Sequence, residues 1–159
     1  MKTQPNQNPE GQIIKHGKLL YTEITIQASP ETVWNILTDF NNYPQWNPFI
    51  KSLKGAPQPG QNIEVFLQPP GAKGMLFKPK VLRYDPNKEF RWIGRFIMPR
   101  LFDGEHGFRL IDNGNGTITF QQFERFRGIL LPFLKKMLDK NTHEGFTGMN
   151  QALKIRAEQ

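Results

Sequence analysis

The stretch FDGEHGFRL (102–110) places Phe102, His106, Phe108 and Leu110 on even positions, with Glu105 and Arg109 on odd ones. Successive side chains of a strand leave opposite faces, so this pattern predicts a strand that hides its even positions and wets its odd ones. The hidden set includes a histidine. The same alternation appears from Leu20, where Thr22, Ile24 and Ile26 share one parity and Glu23 and Thr25 the other. That strand stops at Ala28-Ser29-Pro30-Glu31, which reads as a helix start. Ser29 is the N-cap, Pro30 the first helical residue, and Glu31 sits near the positive end of the helix dipole. Val33, Trp34 and Leu37 follow at core spacing, and the pattern runs out near Asp39. The segment FNNYPQWNPF (40–49) holds two prolines and an Asn-Asn pair, so a short second helix or a tight turn is expected there.

Further strands are predicted over 50–53, 62–67, 75–84, 89–97, 102–110 and 117–126, with a turn at 85–88. Residues 112–116, Asp-Asn-Gly-Asn-Gly, tolerate positive φ and close a hairpin between the last two strands. After Gly128 the period changes. Leu131, Leu134, Leu138, Phe146, Met149 and Leu153 recur at helical steps, predicting an amphipathic helix over 132–157. At 1.5 Å per residue it is about 40 Å long. Gly145 and Gly148 inside it mark a close contact with the sheet or a slight bend.

The expected fold is therefore α+β. Seven strands joined by short turns form one curved antiparallel sheet, with one or two short helices after the first strand and the long C-terminal helix on the concave face. A single helix does not fill so curved a sheet along its whole length, so a cavity between them is expected. The 159 residues suit one domain over 17–159; the polar start, with Pro5, Pro9 and Gly11, is expected to be a disordered arm over 1–16.

Composition narrows the chemistry. There is no cysteine, which excludes disulfides, thiolate metal sites and a cysteine nucleophile. The start has no apolar signal region, and the run GILLPFL (128–134) is far short of the ~20 residues of a spanning helix. A cytoplasmic location is expected. The net charge is +7, and residues 73–100 hold eight basic side chains against Asp85 and Glu89. These are spread through strands, as the solvated faces of a sheet are, so nucleic acid is not an expected partner. The chain has neither a glycine-rich phosphate loop nor a nucleophile elbow.

The inward histidine is the first candidate for function. A hairpin closed by 112–116 sets Leu110 opposite Ile118, Phe108 opposite Phe120 and His106 opposite Gln122, with Glu124 diagonal to His106. Apolar residues then turn inward near the hairpin and polar ones toward the other end, with Trp92 as an aromatic wall. Two readings stay open: His106, Gln122 and Glu124 orient a ligand's hydroxyl or carbonyl, or they form a satisfied buried cluster. His106 and Glu124 are also the candidate acid/base pair of an enzyme. Trp46 and Asn47 flank a pocket mouth or clamp a turn. Phe146 and Met149 on the final helix touch either a ligand or the core. No metal site is expected, because His16 and His143 lack ligand spacing. From Gly128 to Leu134 an apolar tip lies beside Arg125, Arg127, Lys135 and Lys136, which suits transient contact with an anionic membrane surface as well as a plain helix start.

Three segments carry a resemblance: ASPETVWNILTDFNNYPQWNPFI (28–50), LFDGEHGFRL with GNGTITF (101–110, 114–120), and FERFRGILLPFLKKML (123–138). Together they make the chain similar to the START-like helix-grip superfamily, also called SRPBCC, and within it to the polyketide cyclase/dehydrase-like branch. The likeness runs from about Leu20 to Ala157. It implies a pocket for an apolar or aromatic small molecule such as a lipid, polyketide or isoprenoid, and no cofactor. The expectation is a carrier or sensor. The alternatives are a cyclase/dehydratase-type enzyme using His106 with Glu124, and a protein-interaction module with a basic face.

Overall fold

The structure, a computed structural model, describes residues 17–96 and 100–159. The expected arm over 1–16, the end of the expected strand at Ile97, and the side chains of 134–139 lie outside the described residues. In chain order the elements are β1 (Gly17–Ile26), α1 (Pro30–Thr38), a short 3-10 turn, α2 (Tyr43–Trp46), β2 (Ile50–Lys54), β3 (Glu64–Leu67), β4 (Met75–Phe77), β5 (Lys80–Asp85), β6 (Glu89–Phe96), β7 (Phe102–Asp112), β8 (Ile118–Arg127) and α3 (Leu131–Ala157). Five strands pair antiparallel in the order β1-β8-β7-β6-β5, and three in the order β2-β3-β4.

The α+β helix-grip architecture is as expected, with a curved antiparallel sheet gripping a long C-terminal helix. It differs in one place. Residues 75–84 form two strands, not one, and the break falls at Lys78-Pro79. Pro79 has no N–H for a ladder and disturbs the residue before it. The chain leaves the smaller sheet there and enters the larger, so eight strands in two sheets replace seven in one. A lone bridge between Asn62 and Lys80 links the two.

Local chemistry starts the helices where the sequence placed them. The Ser29 hydroxyl accepts from the Thr32 N–H at 3.1 Å and Pro30 fills the first turn of α1. Val33, Trp34 and Leu37 are buried. The buried Tyr43 hydroxyl donates to the Leu37 carbonyl and ties α2 to α1; burial holds that phenol far above its ordinary pKa.

On α3, Phe146, Met149 and Leu153 are fully buried at steps of three and four. Its C-terminal end is tied to β1: Lys154 Nζ donates to the Thr25 carbonyl at 2.6 Å, and Glu158 accepts from the Gln27 N–H at 2.7 Å. That backbone bond, with Lys154, holds the Glu158 carboxyl below its usual range. Midway, α3 passes so close to Phe49 that a Cβ on Gly145 would lie 2.3 Å from the ring. Among the described residues no helix is long and apolar enough to cross a membrane.

The outer face of the sheet carries the strand arginines in pairs. Glu105 meets Arg91 at 3.1 Å and Arg125 at 3.4 Å, while the buried Glu89 meets Arg83, Arg91 and Arg109 within 3.6 Å. Phe123 lies on this face between the guanidinium groups of Arg109 and Arg125, in space that Gly107 leaves open.

The two helix glycines separate contact from propensity. Gly145→Ala forces its methyl into the buried Phe49 ring and should destabilise by about 1–3 kcal/mol. Gly148→Ala meets only Pro48 Cγ at 3.4 Å, and should instead gain up to about 1 kcal/mol of helix propensity. Urea unfolding of both variants, with unchanged m, checks the opposite signs.

Candidate functional site

Position on β7 and β8 follows from their shared register, which runs from Asp103 opposite Arg127 to Asp112 opposite Ile118. This corrects the expected pairing by two residues. Leu110 faces Phe120, Phe108 faces Gln122, and His106 faces Glu124 directly. The turn is as long as expected but lies one residue later, centred on Asn115: Gly114 and Gly116 both take positive φ, near +74° and +82°, and Asn113 N–H donates to the Thr117 carbonyl at 3.0 Å. A shift of two keeps every side chain on its own face and changes only its partner.

The direct pairing makes a hydrogen-bonded row. His106 Nδ1 lies 3.0 Å from Glu124 Oε2, and Gln122 Nε2 lies 3.3 Å from His106 Nε2. The Gln122 amide donates, so Nε2 is the acceptor and Nδ1–H donates to the carboxylate. Among the described residues, Gln122 Oε1 has no partner. His106 is 2% exposed. Trp92 stacks on it at 4.7 Å and 13°, and Phe108 and Phe146 meet it edge-on. Met149 accepts from Gln122 through its sulfur at 3.5 Å. The structure thus gathers Trp92, His106, Phe108, Gln122, Glu124, Phe146 and Met149 around one imidazole.

Trp46 and Asn47 lie elsewhere. Asn47 is buried, and its Oδ1 accepts from the backbone N–H groups of Phe49 and Ile50 at 3.0 and 2.9 Å. Trp46 packs on Tyr43 at 5.3 Å. Both fix the turn that delivers Phe49 beneath α3.

The polar row divides the interior. On the hairpin side, Phe90, Phe108 and Phe120 fill the space against the sheet. On the other side a cavity of about 200 Å³ opens between the far ends of β7 and β8, the β3–β4 arm and α3. Phe102 and Phe126, stacked at 5.7 Å, form one wall with Phe49, Leu67 and Phe77, and Thr142 closes it from α3. Glu124 is the sequence-named residue that lines this cavity. Its other oxygen lies over Gly104, where a Cβ would come within 2.6 Å. The missing side chain leaves the carboxylate its place.

Sequence reasoning missed the phenylalanine wall. Phe102 and Phe126 share the inward parity of His106 and Glu124, so a signal was present. Thr142 stands one turn before Phe146 on the same helix face. Leu67 alternates with Ile63 and Val65 in the strand expected over 62–67, while Phe49 and Phe77 come from a turn and a three-residue strand with no period to read. Chemically, the arrangement offers a ligand an apolar enclosure and one carboxylate acceptor that a histidine orients. Among the described residues, no three His, Asp or Glu side chains converge as a metal site requires.

Replacing Asn47 by Ala leaves two buried N–H groups without their acceptor and should cost about 1–3 kcal/mol. Thermal denaturation checks the loss. An unchanged melting temperature would contradict the turn-capping role.

A profile of the family described as polyketide cyclase / dehydrase and lipid transport matches residues 19–158. Comparison with curated protein sequences gives no match. Among solved structures, the chain is similar to a START superfamily protein from Mycobacterium smegmatis, 23% identical with a TM-score of 0.69 over 89% of this chain and 97% of that one. It is similar to the Zhui aromatase/cyclase from Streptomyces sp. R1128, 13% identical with a TM-score of 0.72 over 90% and 94% of the two chains. A norcoclaurine synthase point mutant from Thalictrum flavum, solved with a transition-state analogue, is 15% identical with a TM-score of 0.67 over 92% and 97%. Such identities establish a shared fold, the helix grip described above. With a profile match over nearly its whole length, the chain belongs to the polyketide cyclase/dehydrase and lipid transport family.

Proposed function

We propose that this protein is a carrier or sensor that binds an apolar or aromatic small molecule, lipid-, polyketide- or isoprenoid-like, between α3 and the sheet. The observation that carries this reading is a phenylalanine-walled cavity holding one oriented carboxylate, Glu124. Transfer of apolar surface into the cavity drives binding at ~25 cal/mol per Å². Glu124 then selects a ligand that presents a hydroxyl or N–H toward His106's side of the cavity. The volume also bounds the guest. About 200 Å³ exceeds the ~150 Å³ cavity that takes benzene and falls below the ~300–1,000 Å³ of drug-sized pockets. One substituted ring or a short branched chain fits inside, and a longer ligand leaves its remainder at the mouth.

A second reading rests on the same pair. A carboxylate facing the cavity and oriented by an imidazole has the geometry of a general base with its positioning partner, as a cyclase or dehydratase requires. The Zhui aromatase/cyclase and norcoclaurine synthase show that this fold hosts enzymes. In this reading Glu124 takes a proton from the bound substrate and His106 holds the carboxylate in place.

Native mass spectrometry of protein expressed in its own host should reveal a co-purifying apolar ligand. Ala72→Trp, a half-buried position at the cavity wall, should abolish that adduct without unfolding the protein. An empty wild type under repeated mild preparation would count against the carrier reading. Glu124→Gln separates the two readings. In a carrier it weakens binding about ten- to 150-fold, the range of one charge-assisted hydrogen bond, and leaves the ligand's mass unchanged. In an enzyme the ligand recovered from the variant differs in mass or structure from the one recovered from wild type.

A further inference from the structure

Among the described residues seven large apolar side chains are left exposed; Leu82, Ile111 and Ile155 are scattered over other elements, and the other four lie on two segments beside the cavity. Ile129 is 73% and Phe133 85% exposed, on the turn from β8 into α3; Met75 is 42% and Leu76 56% exposed, on β4. Met75 lines the cavity itself. The turn is fastened beside Phe102, another lining residue. Ile129 N–H donates to the Arg100 carbonyl at 3.3 Å and Leu130 N–H to the Leu101 carbonyl at 3.2 Å. Gly128, with φ near +133°, lies against Leu101 and Phe102, where a Cβ would come within 2.4 Å of the Leu101 carbonyl oxygen. These bonds fix the backbone of the turn against the start of β7.

Charge specifies what covers them. Residues 69–78, PPGAKGMLFK, contain two lysines and no acid, and residues 125–133, RFRGILLPF, two arginines and no acid. Lys78 pairs with Glu64 at 3.9 Å and Arg125 with Glu105, which leaves Lys73 and Arg127 as the water-facing charges of these segments without an acidic partner among the described residues. Lys73, Arg100 and Arg127 are exposed. Apolar side chains that project from a cationic rim suit an anionic lipid surface: the former enter the acyl boundary and the latter lie among the headgroups. We propose that this rim docks on an anionic phospholipid bilayer, with Ile129, Phe133 and Leu76 inserted and the cavity mouth turned toward the membrane. The ligand would then pass between bilayer and cavity without crossing water. The docking itself does not depend on what the cavity holds.

Vesicle co-sedimentation of the full chain tests it, using phosphatidylcholine alone and phosphatidylcholine mixed with phosphatidylserine. The wild type should sediment with the mixed vesicles, more weakly as salt rises, and poorly with phosphatidylcholine alone. The double variants Ile129→Ser/Phe133→Ser and Lys73→Glu/Arg127→Glu should each lose roughly tenfold or more in partitioning, given ~1 kcal/mol per basic residue at the surface and more per inserted side chain. All four positions are exposed, and matching circular dichroism melts confirm that the variants are folded. Absence of sedimentation with either vesicle, or sedimentation that neither double variant reduces, overturns the proposal. So does a wild-type dimer in sedimentation velocity that Ile129→Ser/Phe133→Ser converts to monomer, because the patch would then cover a second copy of the chain.

Discussion

The pairing of β7 with β8 governs what faces the concave side of the sheet. Strand periodicity guarantees that even residues point inward, but only the register decides which of them meet. Here the tight turn at Gly114 and Gly116 sets His106 against Glu124. An imidazole and a carboxylate buried separately would each carry an uncompensated desolvation cost; together, with Gln122 on the far ring nitrogen, they satisfy most of one another's hydrogen-bonding capacity. Removing one partner of such a hydrogen-bonded pair leaves the other unsatisfied at a cost of about 1–3 kcal/mol, so the register and the polar row support each other.

That row also explains why the interior is uneven. Toward the hairpin, aromatic rings from β6, β7 and α3 surround His106, and α3 is pinned by Asn150 to Thr22 and by Lys154 to Thr25. Toward the other end, α3 presents Asn141 and Thr142, and the smaller sheet supplies the opposite wall. The close passage of Gly145 over Phe49 marks the boundary. One helix meets one large sheet well over half its length, and the remainder is left to a three-stranded flap. The cavity lies where that arrangement changes, with Glu124 at its inner edge.

Much of this was legible in the sequence, for identifiable reasons. Period-two and period-3.6 patterns gave β1, β7, β8 and α3 because each buries one face, and Ser29-Pro30 gave the start of α1 because caps are local chemistry. The α+β architecture followed from their order. Two things were not readable. The centre of the turn depends on the φ values at Gly114 and Gly116, which composition permits without choosing, so the partner of His106 came out two residues wrong. The split at Lys78-Pro79 was written in the proline, yet the alternation on either side disguised it. Asn47 shows a different limit: an amide oxygen accepts equally well from a ligand or from the backbone, and only the fold reveals that Phe49 and Ile50 occupy it. The cavity wall at Phe49, Leu67 and Phe77 required tertiary structure because its residues come from separate short segments.

The central claim is that His106 joins Glu124 to make a polar edge for an apolar cavity. Nitrogen-15 NMR of the His106 imidazole, observed as an apolar aromatic alcohol is titrated in, addresses it most directly. The expected result is a slowly exchanging proton on Nδ1, coupled across its hydrogen bond to the Glu124 carboxylate and shifted when the cavity fills. A proton on Nε2 with Nδ1 bare, or a ring signal indifferent to every ligand that binds, would contradict the account.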